Sequence, residues 1–246
     1  MQAIILAAGM GRRLRELTAD RTKCMVTVGG VSLIERMLSE LDQAGLSRIV
    51  IVTGYQGDRL EEFVRTLNIR TEIRFIRNAE YEETNNIYSL SLAKEYLLEE
   101  DTLLLESDSI FEEAVLKKIL EHPYPCLALV AKPESWMDGA VVSLDEEGNI
   151  SSFVSTKNFR YENMKEYYKT ANIYKFSREF LRKEYVPFLE AYAQAWGHTR
   201  YYESALKVIA FQERPVIKAL ELTDEKWYEI NDIQDLDITE SIFATG

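Results

Sequence analysis

Apolar positions along this chain follow two rhythms. Residues 2–6 and Arg48–Thr53 are short runs with almost no polar interruption, the pattern of strands buried on both faces. Residues 71–76 alternate, and 101–105 are again continuous. Between these runs Leu33, Ile34, Met37, Leu38 and Leu41 recur at helical spacing, behind Ser32 and Glu35 at capping-box distance. Residues 57–67 and 86–98 also predict helices. Alternating strand and helix predict an α/β fold with a mostly parallel central sheet and helices on both faces.

The rhythm is less regular further on. Residues 126–131 and 139–144 predict strands, and Glu146–Asn149 a turn. Residues 177–196 and 202–211 predict helices, 215–222 and 227–230 short strands, and 233–243 a final helix. Tyrosines crowd between Tyr161 and Tyr202, as a packing surface or a ligand-facing wall. With no repeat or low-complexity linker, the expectation is one domain, 1–246, with a variable second half.

Acidic residues number 41 and basic ones 29, for a net charge of −12. Such a chain is a poor match for nucleic acid, which is bound by neutralising phosphates, or for an anionic membrane. No apolar run reaches the ~20 residues of a membrane span. Basic residues follow the first apolar stretch instead of preceding it, so no signal peptide is expected. Two cysteines, Cys24 and Cys126, read as free thiols in a reducing cytoplasm. Two distant histidines argue against a zinc site, and no G-x-S-x-G motif accompanies either.

Chemistry gathers first in the loop after the opening strand. Leu6, Ala7, Ala8, Gly9, Met10 and Gly11 precede Arg12, Arg13 and Leu14. In an open α/β sheet this is where ligands bind, and small residues let backbone N–H groups approach them. Basic residues at positions 12, 13, 15, 21 and 23 exceed acidic ones locally, which suggests a polyphosphate site or a solvated, salt-bridged loop. The Walker pattern is absent. Leu14 interrupts the dinucleotide-binding glycine pattern, which argues against an NAD-dependent dehydrogenase.

The string L-A-A-G-x-G-x-R-L, with Lys23 and Met25 downstream, resembles the signature of nucleotidyltransferases of Rossmann-like GT-A fold. Thr22 replaces the family's usual proline. The resemblance implies that Leu6 to Gly11 cradle the nucleotide, that Arg13 contacts the leaving pyrophosphate, and that Lys23 neutralises charge at the α-phosphate. Positioning and charge neutralisation are what phosphoryl-type transfer requires.

Carboxylates come next. Leu103 to Asp108 is an apolar strand ending in acid. Magnesium favours one or two carboxylates with phosphates and water, so Asp108 is the expected metal ligand; capping a helix that starts near Ile110 is the structural alternative. Glu106 is expected to point to the opposite face. Residues 227–236 resemble the family's closing motif, in which an acid binds metal. Asn231 stands at that position, with Glu229 and Asp232 beside it to compensate. A low-activity or inactivated nucleotide-binding module is the other reading.

Glu83 to Leu90 is a polar run opening a helix, and its Asn85, Asn86 and Ser89 can read a base or ribose. N-N-I-Y-S-L is similar to the phosphocholine cytidylyltransferases. Together with Trp136-Met137-Asp138-Gly139, Asn172 to Ser177 and W-Y-E-I, the chain looks like the cytidylyltransferases that activate 2-aminoethylphosphonate. That resemblance implies CTP as co-substrate and Mg²⁺ as cofactor. It implies a nucleotide-binding half, 1–110, and an acceptor-binding half, 111–246, carrying a smaller insertion. Lys132, Trp136, Asp138 and Glu229 are then placed around the acceptor, where an aromatic face and a carboxylate suit an alkylammonium group. Phosphocholine is the rival acceptor. A transaminase, fused or separate, is the implied partner, absent from this chain.

Overall fold

A computed structural model describes residues 1–134, 137, 141–154, 158–211 and 216–243. Strand β1 (Gln2–Ala7) leads through short 3-10 turns to a small hairpin of β2 (Thr27–Val28) and β3 (Val31–Ser32). Helix α1 (Leu33–Gln43) follows, then β4 (Arg48–Thr53), α2 (Gly57–Thr66) and β5 (Glu72–Arg77). Next come α3 (Asn86–Leu92), α4 (Lys94–Leu97), β6 (Thr102–Glu106), β7 (Ser109–Phe111) and α5 (Glu113–Glu121). Strands β8 (Leu127–Ala131), β9 (Val141–Leu144), β10 (Ile150–Val154) and β11 (Tyr167–Phe176) follow. Helix α6 (Arg178–Phe180) runs through a π turn into α7 (Val186–Trp196), before α8 (Glu203–Ala210). Strands β12 (Lys218–Glu221) and β13 (Trp227–Glu229) and helix α9 (Ile233–Phe243) complete the order.

The central block β6-β1-β4-β5 is parallel throughout. Its strands alternate between two cores, which is why they read as unbroken apolar runs. Ile4, Leu6, Val50, Val52 and Leu104 pack with Ile87 and Leu90 of α3 and Leu189 of α7. Ala3, Ile5, Ile49, Ile51, Leu103 and Leu105 pack on the other side, with Met37, Leu38 and Leu41 of α1 and Val115 of α5. Each fully buried Leu or Ile contributes about 1.5–3 kcal/mol, so a charge at Ile5 would uncouple β1 from α1. That helix starts as expected: Ser32 Oγ accepts the Glu35 N–H at 3.2 Å.

Beyond β6 the sheet turns antiparallel. Ile173–Phe176 of β11 pair with β6, and β11 also pairs with β8 and β9. Its pairing with β8 shifts register between Thr170 and Tyr174, where Asn172 takes a left-handed φ of 56°. A separate ribbon, β13 against β7, lets Ile230 N–H reach Asp108 O at 3.0 Å. It carries the closing segment to the end of β6.

Several expectations need correction. The helix over 86–98 breaks at Ala93. The helix expected near Ile110 is strand β7, and α5 starts only at Glu113, so Asp108 does not cap it. The expected strand at 139–144 is seen as Val141–Leu144, residues 139 and 140 lying outside the described ones. Strand β11 was not anticipated. Its polar Lys169, Thr170 and Asn172 interrupt the apolar pattern, although all three are buried.

Candidate active site

A cavity of about 1100 Å³ opens at the C-terminal ends of β1 and β6. Leu6, Ala7, Ala8, Gly9 and Gly11 line it; Met10 does not, and its sulfur faces Arg12 at 3.6 Å. The loop is pinned from behind. Ala8 O accepts the Tyr55 N–H at 3.1 Å, and Tyr55 Oη donates to the carbonyls of Thr18 and Ala19. Gly11 has φ 60°, and a Cβ there would lie 2.9 Å from the Lys23 Cβ. Glycine therefore serves both the turn and the close approach of Lys23.

Lys23 Nζ donates to Asp108 Oδ2 at 2.6 Å and to Asn231 Oδ1 at 3.3 Å. Arg13 donates to the same Asn231 oxygen at 2.7 Å. The Asn231 amide in turn donates to Glu229 Oε1 at 2.9 Å, and Glu229 Oε2 pairs with Lys169 at 3.1 Å. The fold thus brings together four sequence-predicted residues, Arg13, Lys23, Asp108 and Asn231. Asp108 Oδ1 is buried without a hydrogen-bond partner. Among the described residues no group of three or more His, Cys, Asp or Glu could hold a metal ion. An orphan carboxylate oxygen beside an amide oxygen suits Mg²⁺, which takes its remaining ligands from phosphate and water.

Other predicted residues stand elsewhere. Asp232 is a helix cap: its Oδ1 accepts the N–H groups of Gln234 and Asp235, at 2.8 and 3.1 Å. It is not among the residues that line the cavity. Lys132 is exposed; its ammonium lies 3.4 Å from the Tyr168 ring centroid and donates to Lys165 O, away from the cavity. Trp136 and Asp138 lie outside the described residues. Glu106, expected on the opposite face, shares the cavity with Asp108, because β6 ends at Glu106 and Asp108 sits in the turn that follows.

Asn85, Asn86 and Ser89 all line the cavity. Asn85 Oδ1 accepts from Asn86 N at 2.8 Å as the cap of α3. Asn86 is a tether: its Nδ2 donates to Glu106 Oε1 at 3.2 Å, and its Oδ1 accepts the Tyr202 N–H at 3.0 Å. Ser89 Oγ accepts from Asn78 at 3.1 Å.

The sequence reasoning did not single out Asn78, Lys169, Glu203 and Lys207, which all line the cavity. Isolated polar residues on a strand or amphipathic helix carry no motif; Lys169 lies where β11 pairs with β8 and β9, within reach of Glu229. The acids here are not ordinary. Burial, then the charges of Glu203, Asp108 and Glu229, hold the Glu106 carboxyl well above the usual range, against Lys169. Burial pushes Glu203 up to about 7, with its own backbone N–H and Lys169 opposing. Burial also lifts the Cys24 thiol to about 11, so Cys24 is no nucleophile.

The chain matches the MobA-like NTP transferase domain over residues 3–206. It is 29% identical over 236 residues to the CMP-5'-(3-aminopropyl)phosphonate synthase of Streptomyces rubellomurinus, covering 94% of this chain. The chain spans only 37% of that relative's length. It is 34% identical over 111 residues to the 2-aminoethylphosphonate cytidylyltransferase of Lancefieldella rimae, covering 45% of this chain and 44% of that one. The solved CTP:phosphocholine cytidylyltransferase of Streptococcus pneumoniae superposes with a TM-score of 0.77 at 23% identity, over 98% of both chains, a likeness of fold. With the family match spanning most of its length and the fold agreeing, the chain belongs to the MobA-like NTP transferase family.

Proposed function

We propose that this protein transfers CMP from CTP to 2-aminoethylphosphonate, releasing pyrophosphate. The observation that carries the reading is the Lys23 ammonium, held by Asp108 and Asn231 at the end of the glycine-bearing loop. A phosphonate oxygen attacks the α-phosphorus of CTP. The new P–O bond forms as the bond to the bridging α,β-oxygen breaks, and pyrophosphate leaves with that electron pair. Lys23 neutralises the reacting anions, and Arg13, beside it, the leaving group. The backbone of Ala7 to Gly11 packs against the nucleotide, with Asn85, Asn86 and Ser89 on the opposite wall. No covalent intermediate on the protein is required.

Asp108 and Asn231 would hold Mg²⁺. When bound, the ion supplies further positive charge to the triphosphate. The cytidylyl specificity and the amino-phosphonate acceptor draw support from two relatives, a CMP-5'-(3-aminopropyl)phosphonate synthase and a 2-aminoethylphosphonate cytidylyltransferase. One domain serves both substrates in this reading, residues 1–110 chiefly the nucleotide and 111–246 chiefly the acceptor. A transaminase, fused or separate, is the matching partner activity. Among the described residues no helix is long and apolar enough to cross a membrane.

A pyrophosphate-release screen tests this, with four nucleoside triphosphates against 2-aminoethylphosphonate, 3-aminopropylphosphonate and phosphocholine, products weighed by mass spectrometry. CMP-aminoethylphosphonate should dominate. A dominant CMP-choline product would move the acceptor to phosphocholine and leave cytidylyl transfer standing.

A further inference from the structure

The cavity carries opposite charges at different places. Arg13 and Lys23 sit at the loop, with Asp108 and Asn231. Deeper acids come from three separate elements: Glu106 ends β6, Glu229 ends β13, and Glu203 begins α8. All three line the cavity.

Their partners do not balance. Glu229 takes the Lys169 ammonium directly, at 3.1 Å. Glu106 has a single neutral donor, Asn86 Nδ2. Glu203 Oε2 is shut away from solvent with no hydrogen-bond partner. The hydroxyls of Tyr174 and Tyr202, both fully buried, are likewise unpartnered, and the Glu203 charge acts on both phenols.

The charged groups facing Glu203 are few. Lys169 on β11 faces it and is spent on Glu229. Lys207, one turn along α8, also lines the cavity and pairs with no acid among the described residues. Glu106 and Glu229 are like charges. Lys169 is thus the one lysine paired to these three carboxyl groups, and an uncompensated buried carboxylate is costly. The cluster is short of a cation with hydrogen-bond donors.

We propose that Glu203 and Glu106 form the seat for the primary ammonium of the acceptor. This rests on the proposed cytidylyl transfer to an amino phosphate or phosphonate, and it names the group that selects the amine. An –NH₃⁺ brings one positive charge and three N–H donors to the two carboxyl groups where they line the cavity; a trimethylammonium brings charge but no donor. Asn86 fixes Glu106 on one side and the backbone of Tyr202 on the other. It thereby holds the two halves of the seat in register as a positioning residue.

The test varies acceptor at saturating CTP for wild type, Glu203→Gln and Glu203→Asp, with 2-aminoethylphosphonate and its near-isostere propylphosphonate. Wild type should prefer the amine by about 10²-fold or more in kcat/KM, as sites built to hydrogen-bond a group reject analogues lacking it. Glu203→Gln should raise the KM for the amine about tenfold or more, leave kcat and the KM for CTP nearly unchanged, and narrow that preference. Glu203→Asp, which keeps the charge, should recover part of the loss. Should Glu203→Gln not fold, as judged by thermal melting, the KM of the Asp form decides in its place. Wild-type affinity for the amine in the folded variants, or equal use of propylphosphonate by wild type, overturns the seat. No CMP-linked product from any amino acceptor with wild type overturns the function reading itself, and the seat with it.

Discussion

The Lys23 ammonium lies 2.6 Å from Asp108 Oδ2, joining the nucleotide loop to the end of β6 across 85 residues of chain. Both side chains are largely buried, 14% and 15% exposed. The pair is therefore screened little by salt and holds each group in place. A preorganised cation costs no reorganisation when anionic charge develops beside it.

Lys23→Ala should accordingly lower turnover by ~10²–10³, the usual cost of losing one preorganised electrostatic donor. The KM for CTP should change less, because the loop backbone remains. Pyrophosphate release under saturating substrates measures it. Unchanged turnover would take Lys23 out of the reaction.

Gly11 controls Lys23 through space. An added Cβ would meet the Lys23 Cβ at 2.9 Å and Thr18 Cγ2 at 3.1 Å, on a backbone at φ 60°. Gly11→Ala should therefore destabilise by about 1–3 kcal/mol, from strain at a left-handed position, and reduce turnover by displacing the lysine. Thermal melting and steady-state rates together check it. Gly9 is the control for stability: no heavy atom lies within 4 Å of its Cβ position, and Gly9→Ala should lower the melting temperature less.

The parallel half of the fold was legible because β1, β4 and β6 feed two cores and show it as uninterrupted apolar runs. The gathering of Leu6 to Gly9, Gly11, Lys23, Asp108 and Asn231 around one cavity was legible because their motifs are local. What escaped depends on long-range pairing. Strand β11 mixes buried Lys169, Thr170 and Asn172 into its apolar sequence, and its position between β6, β8 and β9 is not readable from that sequence. Glu203 looks like an ordinary first-turn acid of an amphipathic helix. Its meaning comes from Glu106 and Glu229, which lie far away in sequence. Asp232 errs the other way: it neighbours a site residue in sequence but spends its oxygen on the N–H groups of Gln234 and Asp235.

Acid should expose a different acid, Glu225. Burial alone would raise its carboxyl. The Lys118 ammonium at 2.7 Å, its own backbone N–H and that of Thr223 outweigh burial and bring it down to about 2. A depressed carboxyl contributes stability above its unfolded value, near 4.5, and loses it as pH falls towards about 2. Glu225→Gln should therefore cost about 1–3 kcal/mol at neutral pH, with the difference from wild type shrinking between pH 4.5 and 2. Denaturant melts across that range decide it. A difference that stays constant with pH would show that the charge contributes nothing.

Asn231 does what an aspartate there could not. Its oxygen accepts from Arg13 and Lys23, while its amide donates to Glu229 Oε1 at 2.9 Å. Asn231→Asp would add a charged oxygen beside the orphan Asp108 Oδ1 and replace the amide donor to Glu229 Oε1 by a second carboxylate oxygen facing it. Like charges this close repel unless a cation intervenes. The substituted protein should melt at lower temperature than wild type in chelator, and gain more stability than wild type on adding Mg²⁺, through linkage to binding. Turnover should rise and reach half its maximum at lower Mg²⁺ concentration. A magnesium titration followed by both melting and pyrophosphate release separates the effects. Equal magnesium dependence of the two forms would place Asn231 outside the metal's reach and leave its amide as the link between Glu229 and the arginine–lysine pair.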